Sequence, residues 1–341
     1  MRTLFKRLFA VAFGILLFWG AAELVCRLVF TQVISFDIEM WRYAKLVKVV
    51  DPESGLRFEH RPNVRASLMG VDVVINSDGL RERNRSRQKA AGVVRIAVVG
   101  DSITFGWGVP EQQTYPRRLE AELNRHRPLG PEVTFETINF GVGNYGVSDV
   151  ADMVEHKALS YRPDIVLYGA FVNDAEVPAD MQDGAGLLRH SQFAVWLWGR
   201  IDLLLRQLDW RAEYRDYYLG VYQPETDGAD LVETALERMQ RLCSAREIPL
   251  VVLMLPELHE GSKEAFAQIR QFYRQAAVKA GAGFLDLQDV LPDRNLRRYW
   301  VSADDSHPDS AANLLYAQAI VEGLSWKSLC QSMPAREEPE Q

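Results

Sequence analysis

The sequence predicts an α/β fold with a mostly parallel, doubly wound sheet, and the pattern from Val93 onward is the basis of this prediction. Apolar runs of strand length alternate there with segments of helical periodicity. Such alternation implies right-handed crossover connections that place helices against the faces of one sheet. A long apolar stretch near the N-terminus and a mixed region up to residue 92 precede this part of the chain.

The predicted elements follow one another in regular order. The strands are Val94–Val99, Val133–Ile138, Ile165–Tyr168, Leu250–Leu255 and Gly283–Leu287, and helical patterns lie at about 115–127, 148–160, 229–245, 263–280 and 310–324. An aromatic-rich insertion separates the third strand from the helix at 229 and contains one more helical pattern, at about 191–207. This insertion is interpreted either as an amphipathic helix packed on the sheet or as a lid beside the site that includes Trp198 and Tyr218.

The N-terminal stretch predicts a membrane anchor or a signal sequence. Fifteen apolar residues run without interruption from Leu8 to Ala22, and about twenty are needed to span a bilayer as a helix. Three basic residues precede the run, which predicts a cytoplasmic N-terminus and places the rest of the chain outside the cytoplasm, at the periplasmic or extracellular face. A cleaved signal peptide, with small residues at Gly20–Ala22, is the alternative, and it would make the protein secreted.

Four segments are expected: a transmembrane helix over 1–30, a small, partly β linker region over 31–92, the main domain over 93–330 and a disordered tail over 331–341. Of the 341 residues, 48% are hydrophobic and 25% charged, which is typical of a globular protein. The net charge of −7 argues against nucleic acid as a partner. Three cysteines exclude a disulfide scaffold and multi-cysteine zinc sites.

Chemically useful residues follow the predicted strands, where open α/β sheets bind their ligands. Ser102 stands in the turn Gly100–Gly108, which has three glycines, and a serine there needs a base to become a nucleophile. His307 can supply the base, and Asp304 three residues earlier can orient its ring. The amide of Asn173 and a backbone N–H near Asn144 can join the Ser102 N–H as donors to an oxyanion.

Other interpretations of the same residues are open. Asp101 is tempting as a catalytic acid, but bonding within its own turn is the simpler role. Asp304, Asp305 and His307 resemble part of a metal site, yet no second histidine or carboxylate cluster completes it. No metal or organic cofactor is therefore expected. The elbow motif of ordinary α/β-hydrolases is absent at Ser102.

These segments together resemble the SGNH, or GDSL-type, esterase and lipase family. The resemblance rests on Gly100-Asp101-Ser102 with Thr104 and Gly106, on Asn173-Asp174 and on Asp304-x-x-His307, and it covers about residues 93–325. It implies a flavodoxin-like, three-layer fold with a five-stranded parallel sheet in the order 2-1-3-4-5. The N-terminal stretch is similar to that of a membrane-anchored subgroup, some members of which act on acyl groups of extracellular polysaccharide.

The resemblance also implies roles for individual residues. Ser102 would be the nucleophile, His307 the base and Asp304 the acid that orients it, with Ser102, Asn173 and a backbone amide at Gly143 or Asn144 as oxyanion donors. The family usually has glycine where this chain has Asn144, so which amide donates is open.

The function implied is an extracytoplasmic serine esterase that works through an acyl-enzyme on an acylated glycan, lipid or small molecule. An O-acyltransferase to polysaccharide would use the same residues, and a non-catalytic polysaccharide-binding or assembly subunit is the third alternative.

Overall fold

The computed structural model describes residues 2–176, 190–208, 212–260, 264–293 and 295–331, without the side chains of residues 206 and 207. The tail expected from residue 331 onward lies outside these residues from position 332. The chain divides into two compact units, which are residues 1–45 with 179–213 and residues 46–178 with 214–341. These units do not coincide with the four expected segments, whose boundaries stay a prediction.

The first unit contains the N-terminal helix. Helix α1 is Arg2–Val29, helix α2 is Phe36–Leu46 and helix α6 is Gln192–Gln207. Within the described residues, α1 is the helix that is long and apolar enough to cross a membrane, with a mean hydropathy of 2.1 and no buried residue in the apolar window. Helix α6 confirms the helical pattern of the insertion, and it packs against α1.

Glu23 connects these two helices. Its carboxylate accepts hydrogen bonds from the Ser191 hydroxyl and from the backbone N–H groups of Gln192 and Phe193, at the start of α6. These N–H groups have no partner within their own helix, so the carboxylate satisfies donors that a helix start leaves open. The acidic residue inside the apolar stretch therefore has a structural partner.

The second unit is an α/β domain with a five-stranded parallel sheet. Its first strands, β1–β4, form two short antiparallel pairs, and β5–β9 form the sheet. The bounds are β1 Lys48–Val49, β2 Glu59–His60, β3 Arg65–Leu68, β4 Val71–Val74, β5 Val93–Gly100, α3 Ser102–Phe105, α4 Tyr115–His126, β6 Thr134–Asn139, α5 Val147–His156, β7 Ile165–Ala170, α7 Tyr214–Val221, α8 Asp227–Ser244, β8 Leu250–Met254, α9 Ala267–Ala280, β9 Gly283–Asp286, β10 Trp300–Ser302, β11 Asp305–Pro308, α10 Ser310–Gly323 and α11 Trp326–Gln331.

The strand order is β6-β5-β7-β8-β9, which is 2-1-3-4-5 in chain order and confirms the predicted fold class. Strand β5 pairs with β6 at Val98–Asn139 and with β7 at Gly100–Gly169, so the carboxyl ends of these three strands lie side by side. Helices α4 and α10 pack together on the sheet and contribute Leu119, Leu123, Tyr316 and Ile320 to a fully buried core. Helices α5 and α8 pack against each other, as do α8 and α9.

Several short elements were not expected from the sequence, and two of them carry residues of the predicted site. One is α3, a single helical turn that begins at Ser102, and the other is the antiparallel hairpin of β10 and β11. Both are too short for a periodic hydrophobic pattern to reveal them. They carry Ser102 and His307, so the least predictable elements hold the residues that the sequence singled out.

Candidate active site

Ser102 is placed by a tight turn at the carboxyl end of β5. The side chain of Asp101 accepts a hydrogen bond from the Ile103 N–H at 2.9 Å and caps α3. Gly106 ends that turn in the left-handed region. Asp101 thus bonds its own turn, as the simpler interpretation of the sequence held, and burial raises the pKa of its carboxyl. Ser102 is 7% exposed, so most solvent is excluded from it.

His307 reaches Ser102 from the hairpin. Its Nε2 lies 2.7 Å from Ser102 Oγ, and its Nδ1 lies 2.6 Å from Asp305 Oδ1. A carboxylate accepts from Nδ1–H, which leaves Nε2 free of its proton and able to accept the Ser102 hydroxyl proton. The three side chains form a hydrogen-bonded chain with the geometry of a serine nucleophile, a base and an orienting acid.

The carboxylate partner of His307 is Asp305, which corrects the prediction of Asp304. Asp304 is exposed at the tip of the hairpin, and its Oδ1 accepts from the Ser302 hydroxyl at 2.6 Å. In a β-strand, side chains two positions apart lie on the same face, so Asp305 shares a face with His307. The sequence prediction used a spacing of three, which would suit a helix but not β11.

Asp305 is kept ionised by its partners. Burial by itself would raise the pKa of this carboxyl, but hydrogen bonds and charge from His307, with a bond from the Trp107 indole, lower it below its usual range. The indole Nε1–H donates to Oδ2 at 2.9 Å, while Oδ1 also accepts the His307 backbone N–H at 3.0 Å. Both carboxylate oxygens are therefore occupied, and the acid is fixed in orientation.

The loop after β6 approaches Ser102 from a second side. The Val142 N–H donates to the Gly100 carbonyl at 3.1 Å, beside the Ser102 turn. At Gly141 a Cβ would collide with the backbone of Thr104 and Phe105, so only glycine allows this approach. Gly143 is buried, and Asn144 is exposed with a positive φ of 67°.

The loop after β7 carries Asn173. The next residue, Asp174, accepts from the Tyr168 hydroxyl at 2.5 Å and from the Phe171 N–H at 2.9 Å, and it is buried. The Asp174 carbonyl accepts from the Val147 N–H at 2.8 Å, so this loop is joined to the loop after β6. Burial, reinforced by the charge of Asp101, raises the pKa of Asp174 well above its usual range.

The three segments that follow β5, β6 and β7 thus meet at one edge of the sheet. The sequence profile of the GDSL-like Lipase/Acylhydrolase family matches residues 98–315, which include all of them. The chain belongs to this family. Its members are esterases and acyl hydrolases, so hydrolysis of an ester is the activity of the family. No curated protein sequence shows significant similarity to the chain.

Several solved structures are similar to the chain at low identity. TesA is 14% identical, with 69% of this chain and 99% of TesA covered and a TM-score of 0.45. A catalytic mutant of Axe2, an acetylxylan esterase from Geobacillus stearothermophilus, is 16% identical, with coverages of 68% and 95% and a TM-score of 0.43. A two-domain esterase active on acetylated mannans is 18% identical, with coverages of 74% and 54% and a TM-score of 0.43. This similarity is too low to transfer a substrate.

Some residues at this site of the GDSL-like chain were missed by sequence reasoning. Trp107 lies inside the matched range, whereas Lys48 and Arg57 lie before it and contact Asn144. Trp107 could have been considered, because it stands five residues after Ser102 in the same glycine-rich turn. Nothing in the sequence connects Lys48 with Asn144, which lies 96 positions away. Within the described residues, no group of three or more His, Cys, Asp or Glu side chains could hold a metal ion.

Proposed function

We propose that the protein is a serine esterase in which Ser102 attacks the ester carbonyl, His307 takes the serine proton and Asp305 orients His307. The chain of bonds from Ser102 Oγ to His307 Nε2 and from Nδ1 to Asp305 Oδ1 is the observation that carries this proposal. An unactivated hydroxyl is a weak nucleophile, and a base at 2.7 Å is within reach of its proton.

The reaction would run in two steps. Ser102 Oγ forms a bond to the acyl carbon as its proton passes to His307 Nε2, and the tetrahedral oxyanion is stabilised by N–H donors. The same proton is then given to the leaving alcohol, and an acyl-enzyme remains. In the second step water attacks the acyl carbon as His307 takes its proton, the bond from the acyl carbon to Ser102 Oγ breaks, and His307 returns the proton to that oxygen as the acid leaves.

The oxyanion donors of this proposal are the Ser102 N–H, the amide of Asn173 and the backbone at Gly143 and Asn144. Asn173 is proposed for this role because it follows β7, whose carboxyl end lies beside that of β5 and the Ser102 turn, and because the NH₂ group of its amide is a donor. An amide oriented by its loop can donate through its nitrogen, and preorganised donors of this kind contribute about 10²–10³ in rate each.

The location in this proposal is outside the cytoplasm, with α1 as a membrane anchor. Its apolar window, its basic N-terminal flank and the absence of buried residues in that window support a span. The substrate proposed is therefore an acylated glycan or lipid at that face of the membrane. Transfer of the acyl group to a sugar hydroxyl would differ only in the nucleophile that reaches the acyl-enzyme.

A fluorophosphonate probe tests the proposal on the full chain in membrane vesicles. We expect labelling of wild type and none of Ser102→Ala, because the probe forms its bond with an activated serine. A membrane-impermeant form of the probe should label the protein in right-side-out vesicles and spare it in intact inside-out ones. Labelling that survives Ser102→Ala would refute the nucleophile, and labelling only in inside-out vesicles would refute the location.

A further inference from the structure

A reverse turn over Val142–Tyr145 sets the direction of one backbone amide at the site. The Tyr145 N–H donates to the Val142 carbonyl at 3.2 Å, and the third residue, Asn144, has a φ of 67°. The φ of Gly143, the second residue, is not positive. A positive φ at the third position alone is the pattern of a type II turn. A type I turn differs from a type II turn by a flip of the peptide between its second and third residues. Such a flip between Gly143 and Asn144 would reverse the direction in which the Asn144 N–H points.

Two side chains donate hydrogen bonds to Asn144, one to its side-chain oxygen and one to its backbone carbonyl. Lys48 Nζ donates to Asn144 Oδ1 at 2.8 Å, and Arg57 Nη2 donates to the Asn144 carbonyl at 3.1 Å. Both come from the segment 46–61, which we call the brace and which lies before the family match. Asn tolerates a positive φ better than most residues but less well than glycine, so the two hydrogen bonds add stability to this conformation.

The brace is itself firmly attached to the same loop. Arg57 forms an ion pair with Asp149 at 2.6 Å, and Asp149 accepts the Gly146 N–H at 3.0 Å. The Tyr145 hydroxyl donates to the carbonyl of Phe58, and the two rings pack edge to face. These contacts fix the residues on either side of the turn.

Lys48 is built into this site and is not a surface lysine. It is 4% exposed, and its Nζ lies 4.1 Å from the centre of the Phe58 ring. Burial, with the nearby charge of Arg57, lowers the pKa of Lys48 to about 7. Both the ammonium and the neutral amine carry N–H groups, so Asn144 Oδ1 has a donor in either form.

We propose that Lys48 and Arg57 are positioning residues that hold the Gly143–Asn144 peptide in its type II orientation and thereby aim the Asn144 N–H at the oxyanion. This rests on the proposed function, since it names which amide of the loop serves the reaction and what keeps it in place. The brace then belongs to the active site although it precedes the family domain.

Lys48→Met is the test, because methionine keeps the length of the side chain and removes the donor. On a soluble acyl ester, we expect kcat to fall about 10- to 100-fold with KM changed less than threefold, since the lost interaction is made only in the transition state. Arg57 is a poorer test because its removal also leaves the buried carboxylate of Asp149 without its partner.

Lys157→Met is the matched control. Lys157 donates to Glu59, so it also ties the brace to the rest of the domain, but it does not touch the turn. We expect a lowered melting temperature in both variants and a loss of kcat in Lys48→Met alone. Equal losses of kcat in the two variants would overturn the proposal.

Asn144→Gly supplies the rescue. Glycine adopts a positive φ without support, so Lys48→Met/Asn144→Gly should regain at least tenfold in kcat over Lys48→Met. Absence of rescue would count against the peptide orientation as the cause.

A second readout does not depend on activity. With ¹⁵N-asparagine labelling, the Asn144 amide resonance should shift or double in Lys48→Met and stay in place in Lys157→Met, and an unchanged resonance would overturn the proposal. A wild type that has no esterase activity, with Ser102 unlabelled by fluorophosphonate, would instead refute the proposed function and leave the resonance to decide whether Lys48 holds the turn.

Discussion

On one side of Ser102, the base and its carboxylate partner come from the same short hairpin, two residues apart, whereas on the other side the turn that carries Asn144 is held by a segment about 90 positions earlier in the chain. The hairpin brings His307 and Asp305 onto one face by strand geometry alone. The turn is held by donors that are distant in the sequence. The pairing of His307 with Asp305 is therefore locally encoded, whereas the support of the Asn144 turn depends on the tertiary structure.

The largest effect should come from the local side. Asp305→Asn replaces one carboxylate oxygen by an NH₂ group, and both oxygens now accept from donors, so the amide must face an N–H of His307 or Trp107. We expect kcat/KM to fall between about 10² and 10⁴-fold, since the proper tautomer and the charge of the imidazolium both lose support. Steady-state hydrolysis of a soluble ester measures this.

The neighbouring residue is the control for that substitution. Asp304→Asn makes the same chemical change one position away, on an exposed side chain that accepts a hydrogen bond from the Ser302 hydroxyl. We expect its kcat/KM to stay within twofold of wild type. If Asp304→Asn were the damaged variant and Asp305→Asn the active one, the hairpin geometry would be the wrong guide to the acid.

A smaller effect should follow from Trp107→Phe, which keeps an aromatic ring and removes the N–H donor to Asp305. A hydrogen bond to a charged group contributes about 1.5–3 kcal/mol, so kcat should fall about tenfold to a hundredfold. The bond favours the ionised carboxylate, so its loss raises the pKa of Asp305. A pH profile of activity reports the titration of the His307–Asp305 pair, so the profile of Trp107→Phe should be displaced from that of wild type.

Trp300→Phe distinguishes this positioning role from loss of packing. Trp300 lies in the same hairpin, but its indole donates to the Leu258 carbonyl at 3.1 Å and has no bond to Asp305. A pH profile of activity that shifts in Trp107→Phe and is unchanged in Trp300→Phe would support the role of Trp107. An equal shift of the pH profile in both variants would show that any disturbance of the hairpin's packing changes the profile.

The contrast between the two sides also explains which parts could be predicted from the sequence. Buried strands and amphipathic helices repeat a pattern over many residues, and the strand predicted at Ile165–Tyr168 is observed at Ile165–Ala170. Ser102 and His307 were singled out because each follows a predicted strand in an order that the family shares, and the structure places them 2.7 Å apart. Asp305 was missed because the choice between adjacent aspartates depends on a three-residue strand geometry. Lys48 could not be found, because the contact of a lysine with a residue 96 positions away leaves no local pattern.

The smallest expected effect concerns the stability of the brace. His60 is 1% exposed, and its Nδ1 lies 3.2 Å from the Gly79 carbonyl. Burial, with the charge of Lys48, lowers the pKa of His60 from 6.5 to about 3. Between these values the unfolded chain binds more protons at this residue than the folded one, so acid favours unfolding.

The stability that neutral His60 provides is complete above about pH 6.5 and is lost as the pH falls toward 3. The free energy of unfolding should decrease by up to about 1.4 kcal/mol per pH unit from this group, and His60→Gln should show a shallower decrease in urea titrations. His126→Gln is the control, because the side chain of His126 is 45% exposed and should leave the slope unchanged. Equal slopes of the free energy of unfolding against pH in wild type and His60→Gln would mean that acid destabilises the protein through other groups. If instead the slope depends on His60, the Asn144 amide resonance should change over the same pH range, because protonation of His60 weakens the brace that holds the turn of Asn144.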